Sequence, residues 1–87
     1  MTALFENLLD NSLDEIKHSL PENYEVDDVD WDDAEDIFQI PVFDTSTFEK
    51  ATKGPVDRFR FYRLPGESDE QLIDRWDAAL HEFTQRW

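Results

Sequence analysis

Nine carboxylates crowd the fifteen residues from Glu22 to Asp36: Glu22, Glu25, Asp27, Asp28, Asp30, Asp32, Asp33, Glu35 and Asp36. Side chains of this type at this density can hold a hard cation, share a proton in acid–base catalysis, or present negative charge to a cationic partner. The cation reading has a template, since Asp28, Asp30 and Asp32 fall at positions 1, 3 and 5 of an EF-hand loop. That template then needs a glycine at position 6 for its sharp turn and a bidentate glutamate at position 12. The chain has Asp33 and Gln39 there, so no metal site is expected. For catalysis, nothing in the run singles out one acid–base pair. The two histidines, His18 and His81, lie in no metal-binding spacing. Ser12, Ser19, Ser46 and Ser68 lack the turn that exposes a nucleophile, and Gly54 and Gly66 are the only glycines, too few for a phosphate-cradling loop. The chain is therefore not expected to be an enzyme or to carry a cofactor.

The third use of the carboxylates depends on their spacing. If the run is extended, Asp28, Asp30 and Asp32 share one face at about 6.6–6.8 Å, twice the rise of a strand. Phosphates advance about 3.4 Å per step along one DNA strand, so every second phosphate is matched in axial rise. If the run is helical, Asp28, Asp32, Glu35 and Asp36 form the row instead. Trp31 lies in the middle, either as an anchor to the core or as an exposed contact of the kind enriched at interface hot spots.

The elements that must hold this segment are legible on both sides of it. Leu4, Phe5, Leu8, Leu9, Leu13, Ile16 and Leu20 recur at helical spacing over residues 3–20, and Pro21 ends the pattern. At the other end Ser68 and Gln71 form a capping box, Asp69 and Glu70 suit the positive end of a helix dipole, and Leu72, Ile73, Trp76, Ala79, Leu80, Phe83 and Trp87 make an apolar face. Between the helices the period shifts towards two. Residues 58–64 read as a strand with Phe59 and Phe61 on one face, and residues 37–43 as a second strand in which Pro41 favours an edge position. Tyr24, Val26, Val29 and Trp31 mark a third, whose parity breaks between Val26 and Val29, so a bulge or turn is expected there. Ser46, Glu49 and Gly54-Pro55 suggest a short capped helix. The fold class is α+β, a small antiparallel sheet of about three strands packed by N- and C-terminal amphipathic helices, in one domain spanning residues 1–87.

The charge is one-sided. Residues 1–49 carry fifteen acids against one base, Lys17, whereas residues 50–87 carry seven of each, and the net charge is −14. A halophilic adaptation would spread acids over the whole surface, whereas a solvated acidic loop would not. At a pI near 4.1, direct binding to nucleic acid or to an anionic membrane is disfavoured, because like charges repel. There is no cysteine for disulfides or zinc–thiolate sites, no apolar run long enough to span a bilayer, and no basic stretch at the N-terminus. A cytoplasmic protein is expected. Arg58, Arg60 and Arg63 are expected to pair across strands with the acidic segment or with Asp57 and Glu67.

In size, acidity and lack of catalytic motifs the chain resembles the DNA-mimic inhibitors that phages and mobile elements direct against restriction enzymes, CRISPR nucleases and uracil-DNA glycosylase. The resemblance is one of class and rests on composition. It implies a basic nucleic-acid-binding protein as partner, in the cytoplasm of a bacterial host, with Glu25, Asp27, Asp28, Asp30, Asp32, Asp33, Glu35 and Asp36 meeting its phosphate-binding Lys and Arg. Trp31 or Tyr24 would fill an adjacent apolar pocket. The alternative is an immunity protein or antitoxin that caps a cationic toxin. A homodimer formed through an aromatic face also stays open.

Overall fold

The computed structural model describes residues 3–32, 34–45 and 54–87. Helix α1 (Ala3–Ser19) is followed by strands β1 (Tyr24–Val26), β2 (Asp30–Asp32), β3 (Ile37–Asp44) and β4 (Asp57–Tyr62), and then by helix α2 (Asp69–Thr84). The arrangement is α+β, with N- and C-terminal helices and a small antiparallel sheet. The expected helix around Ser46 and Glu49 lies outside the described residues.

Helix α1 buries Phe5, Leu8, Leu9 and Ile16 of the expected stripe, with Leu4, Leu13 and Leu20 partly buried and Ser12 buried beside them, and stops just before Pro21. Helix α2 starts where its capping box requires. The Ser68 hydroxyl accepts from the Gln71 N–H, and the Gln71 side chain accepts from the Ser68 N–H, both at 3.2 Å. Two of the donors that a helix N-terminus leaves unpaired are thereby satisfied. Leu72, Leu80 and Phe83 are buried on its inner face, but Ile73, expected there, is 39% exposed. The two helices run parallel, side by side. Phe5 packs on Phe38 and Phe61 at one end of the sheet, and Trp87 packs on Tyr24 at the other.

Strand β3 is the centre of the sheet, which corrects the edge position suggested by Pro41. Val42 pairs with both Val26 of β1 and Asp57 of β4, so β1 and β4 lie on opposite sides of β3. By the same logic β2 lies opposite β4, because Ile37, Phe38 and Gln39 pair with both. Strands β1 and β2 are therefore two pieces of one edge. The register shifts by one residue between them, from Val26 opposite Val42 to Asp30 opposite Gln39. Asp27, Asp28 and Val29 thus face only Ile40 and Pro41, which is a β-bulge at the expected break in parity. Pro41 helps to fix it. The Val42 carbonyl accepts from Val56 at 2.8 Å on the β4 side, so the backbone of Pro41 faces the other way, into the bulge. The donor that proline lacks falls where the ladder is already interrupted.

Both helices cover the face of the sheet that carries Phe38, Ile40, Val42, Phe59 and Phe61, all buried. Phe5 and Phe83 reach down onto these rings, with centroids 5.2 Å from Phe38 and 5.3 Å from Phe59 respectively. Trp76 donates its indole N–H to the buried Ser12 hydroxyl at 2.8 Å, and Ser12 in turn donates to the Leu8 carbonyl at 2.7 Å, which ties α2 to α1 through a satisfied polar chain. By the alternation of strands, the opposite face presents Asp30 and Asp32 from β2, Ile37, Gln39 and Pro41 from β3, and Arg58, Arg60 and Tyr62 from β4.

Candidate functional site

The acidic segment is neither one extended row nor a helix. Glu25 lies on β1 on the outer face of the sheet. Asp27 and Asp28 form the bulge, where the Asp27 carboxylate accepts from the Asp28 N–H at 3.0 Å. Asp28 has φ +44°, a left-handed conformation that Asp tolerates better than most residues. Asp30 and Asp32 follow on β2, exposed on the outer face. The Asp32 carboxylate also accepts from the Ala34 and Glu35 N–H groups at 3.0 and 3.2 Å, closing the turn to β3. Glu35 is exposed in that turn, and Asp33 lies outside the described residues.

Asp36 leaves the group. It has φ +50° and a half-buried carboxylate held by Arg63 Nε at 3.0 Å. The bulge restores Asp28 to the others: Asp28 and Asp30 line one side of a shallow depression floored by Gln39, Pro41 and Phe43, with Arg58 on the far side. Asp28, Asp30 and Asp32 are thus a kinked row along one sheet edge, spaced by strand geometry only between Asp30 and Asp32. Among the described residues, none of Asp28, Asp30, Asp32 and Glu35 makes an ion pair with Lys, Arg or His.

Trp31 lies opposite Phe38 on the helix side of the sheet, yet it does not pack into the core and is 43% exposed. Val29 takes the anchoring role instead. Tyr24 is half-buried against Trp87, with centroids 5.0 Å apart, so of the two proposed contact aromatics only Trp31 is presented.

Among the described residues, three arginines of the C-terminal half pair away from Asp28, Asp30 and Asp32. Arg63 binds Asp36 and Asp69, both at 3.0 Å; Arg75 binds Glu67 at 2.8 Å; Arg86 binds Asp57 at 2.6 Å. Arg75 also donates to the Tyr62 carbonyl and stacks over Phe61 at 4.4 Å. Its guanidinium, aided by the Leu64 N–H, holds the Glu67 carboxyl down to about 2, and burial opposes the shift. Three arginines are thereby spent at the seam between β4 and α2. Arg58 and Arg60 do not reach the acidic strand as expected, because β3 lies between them. Among the described residues they make no ion pair, and Arg60 sits over the Tyr62 ring at 5.6 Å.

Both helices also carry acids on their outer faces. Residues 50–87 are neutral in sum, but Arg63, Arg75 and Arg86 pair with Asp36, Asp69, Glu67 and Asp57, and Glu70, Asp74 and Asp77 stay exposed along α2. Glu6, Asp10 and Asp14 do the same on α1, at about 6 Å per four residues. The signal was present as i, i+4 and i+3 spacing of acids, and could have been read from the helix pattern. Near the end of α1, the Asp14 backbone carbonyl and then its carboxylate hold exposed His18 protonated to higher pH than a free imidazole.

Among the described residues no group of three or more His, Asp or Glu side chains is arranged to hold a metal ion, and no helix is long and apolar enough to cross a membrane. Comparison of the chain with protein-family models, with curated proteins and with solved structures finds no match.

Proposed function

We propose that this protein is a nucleic-acid-mimicking inhibitor that occupies the DNA- or RNA-binding groove of a basic nuclease or other nucleic-acid-binding protein. The observation that carries this reading is the uncompensated sheet edge: Asp28, Asp30 and Asp32 have no cationic partner among the described residues, while Arg63, Arg75 and Arg86 are drawn into pairs elsewhere. A fold that merely needed solubility would gain by letting some of those arginines answer the acids, since unrelieved like charge destabilises the compact state. In the proposed complex the target's Lys and Arg do so. Trp31, on the other face of the same edge strand and 43% exposed, enters an apolar pocket of a target that grips this edge from both sides. Steering by the −14 charge makes association fast and salt-sensitive. Such an inhibitor acts in the cytoplasm of the bacterial host of a phage or mobile element.

The test is capture from lysate on wild-type bait beside an Asp28, Asp30, Asp32→Asn bait, eluted over a NaCl series, followed by competition with duplex DNA against each captured protein. The reading expects a nucleic-acid-binding protein that elutes with salt, is displaced by DNA and is lost from the variant. It also expects Trp31→Ala to weaken capture without loss of fold. A cationic toxin that is captured but not displaced by DNA would replace it with the immunity-protein reading. A partner held equally by both baits would move the function away from this edge.

A further inference from the structure

We propose that the face of the sheet opposite α1 and α2 is a self-complementary surface through which two copies of this chain pair. Three columns of side chains cross this face. At the level of Gln39, Asp30 stands on one side and Arg60 on the other; at the level of Ile37, Asp32 and Tyr62 do. At the level of Pro41, Arg58 stands on the β4 side, and Asp28 lies across the same depression. The face therefore has an acidic column, a column without charge and a column of two arginines and a tyrosine. Asp28, Asp30, Asp32, Arg58, Arg60 and Tyr62 are all exposed.

Charge separated in this way selects one symmetry. A two-fold axis lying in the interface parallel to β3 sets β3 against its copy and carries β2 of each protomer over β4 of the other. Asp28 then meets the second copy's Arg58, Asp30 meets Arg60, and Asp32 meets the Tyr62 hydroxyl, each contact occurring twice. A two-fold axis across the strands would put acids over acids. Pairing of two β4 edges in one continuous sheet would set arginine opposite or diagonal to arginine, which is destabilising. Sheets stacked face to face keep their strands within about 30° of parallel, which preserves these contacts.

The footprint is small. Three strands at about 4.8 Å spacing and six residues at about 3.4 Å rise cover roughly 14 × 20 Å, below the ~800 Å² per partner of a standard stable interface. The dimer is accordingly weak and populated at high protein concentration. Its salt dependence is set by two opposed effects. At about 0.15 M salt, repulsion between the two net charges is screened beyond about 8 Å, whereas direct contacts survive.

Sedimentation equilibrium up to millimolar protein in that salt tests the proposal. The wild type is expected to rise above the 10.4 kDa monomer mass. Asp30→Arg alone and Arg60→Glu alone are each expected to weaken association by about tenfold or more, since close interfacial charge pairs couple on that scale. The two single variants mixed together regain it, because every Asp30–Arg60 contact in the mixed dimer is again between opposite charges. Net charge alone demands the reverse for Asp30→Arg, which relieves repulsion. A wild type that stays monomeric, an Asp30→Arg variant that associates as well as the wild type, or a mixture that stays apart overturns the proposal. Both positions are exposed, and circular dichroism of each variant checks that it folds.

Discussion

Arg63 decides which carboxylates remain on the acidic edge, and its replacement by methionine can be worked through quantitatively. The side chain makes three bonds: Nε to Asp36 at 3.0 Å, Nη2 to Asp69 at 3.0 Å, and Nη1 to the Glu67 carbonyl at 3.2 Å. The two ion pairs differ in burial. Asp36 keeps 20% of its side-chain exposure and Asp69 keeps 70%. An exposed pair contributes up to ~1 kcal/mol, and breaking a fully buried one costs about 3–5 kcal/mol. The Asp36 pair falls between these limits, so Arg63→Met should cost about 2 kcal/mol, which for a domain of this size is a drop in Tm of roughly 10 °C. Urea denaturation of a double-mutant cycle with Asp36→Asn, which keeps a residue tolerant of positive φ, should give a coupling of about 1–2 kcal/mol that persists in 1 M salt. The cycle with Asp69→Asn should give under ~0.5 kcal/mol and vanish there. A larger coupling to Asp69 than to Asp36, or an Arg63→Met variant as stable as the wild type, would refute the assignment of Arg63 as the clamp on the acidic turn.

Three further outcomes follow from the geometry. The folded-state pKa of Glu67 is lowered from 4.5 to about 2, so its stabilising effect is complete above the unfolded value and is lost as pH falls towards 2. The difference in Tm between wild type and Glu67→Gln should be flat above about pH 5, shrink as pH falls, and disappear only as pH passes below about 2, even as protonation of the other acids relieves repulsion in both. Ser12→Ala strips the Trp76 indole N–H of its acceptor and should cost about 1–3 kcal/mol, more than Trp76→Phe costs through the same hydrogen bond, as a double-mutant cycle in urea would resolve. At Asp28, with φ +44°, glycine should raise stability by up to ~1 kcal/mol and alanine should not; thermal melts ranking alanine above glycine would contradict the bulge.

The helices, their caps and the aromatic strand were legible because each is decided locally. Period 3.6 in residues 3–20, the Ser68–Gln71 box and the alternation around Phe59 and Phe61 each leave one face to bury, and short-range physics chooses the element. The break between Val26 and Val29 was legible for the same reason, since a change of parity has to be absorbed by a bulge or a turn to keep both against the core; the pairing with β3 decides that it is a bulge. Pro41 misled because its cost depends on what lies across from it. In a central strand it is tolerated here only because the bulge already breaks the ladder at that point, and this is a property of two segments together. The fate of each charge was equally non-local. Asp36 and Asp32 look alike in the chain, but Arg63, 27 residues beyond Asp36, removes one from the acidic edge and leaves the other. Arg58 and Arg60, expected to pair with the acidic segment or with Asp57 and Glu67, are separated from Asp30 and Asp32 by β3. Local sequence sets which residues share a face, whereas the pairing of distant strands sets which charges come within reach of one another.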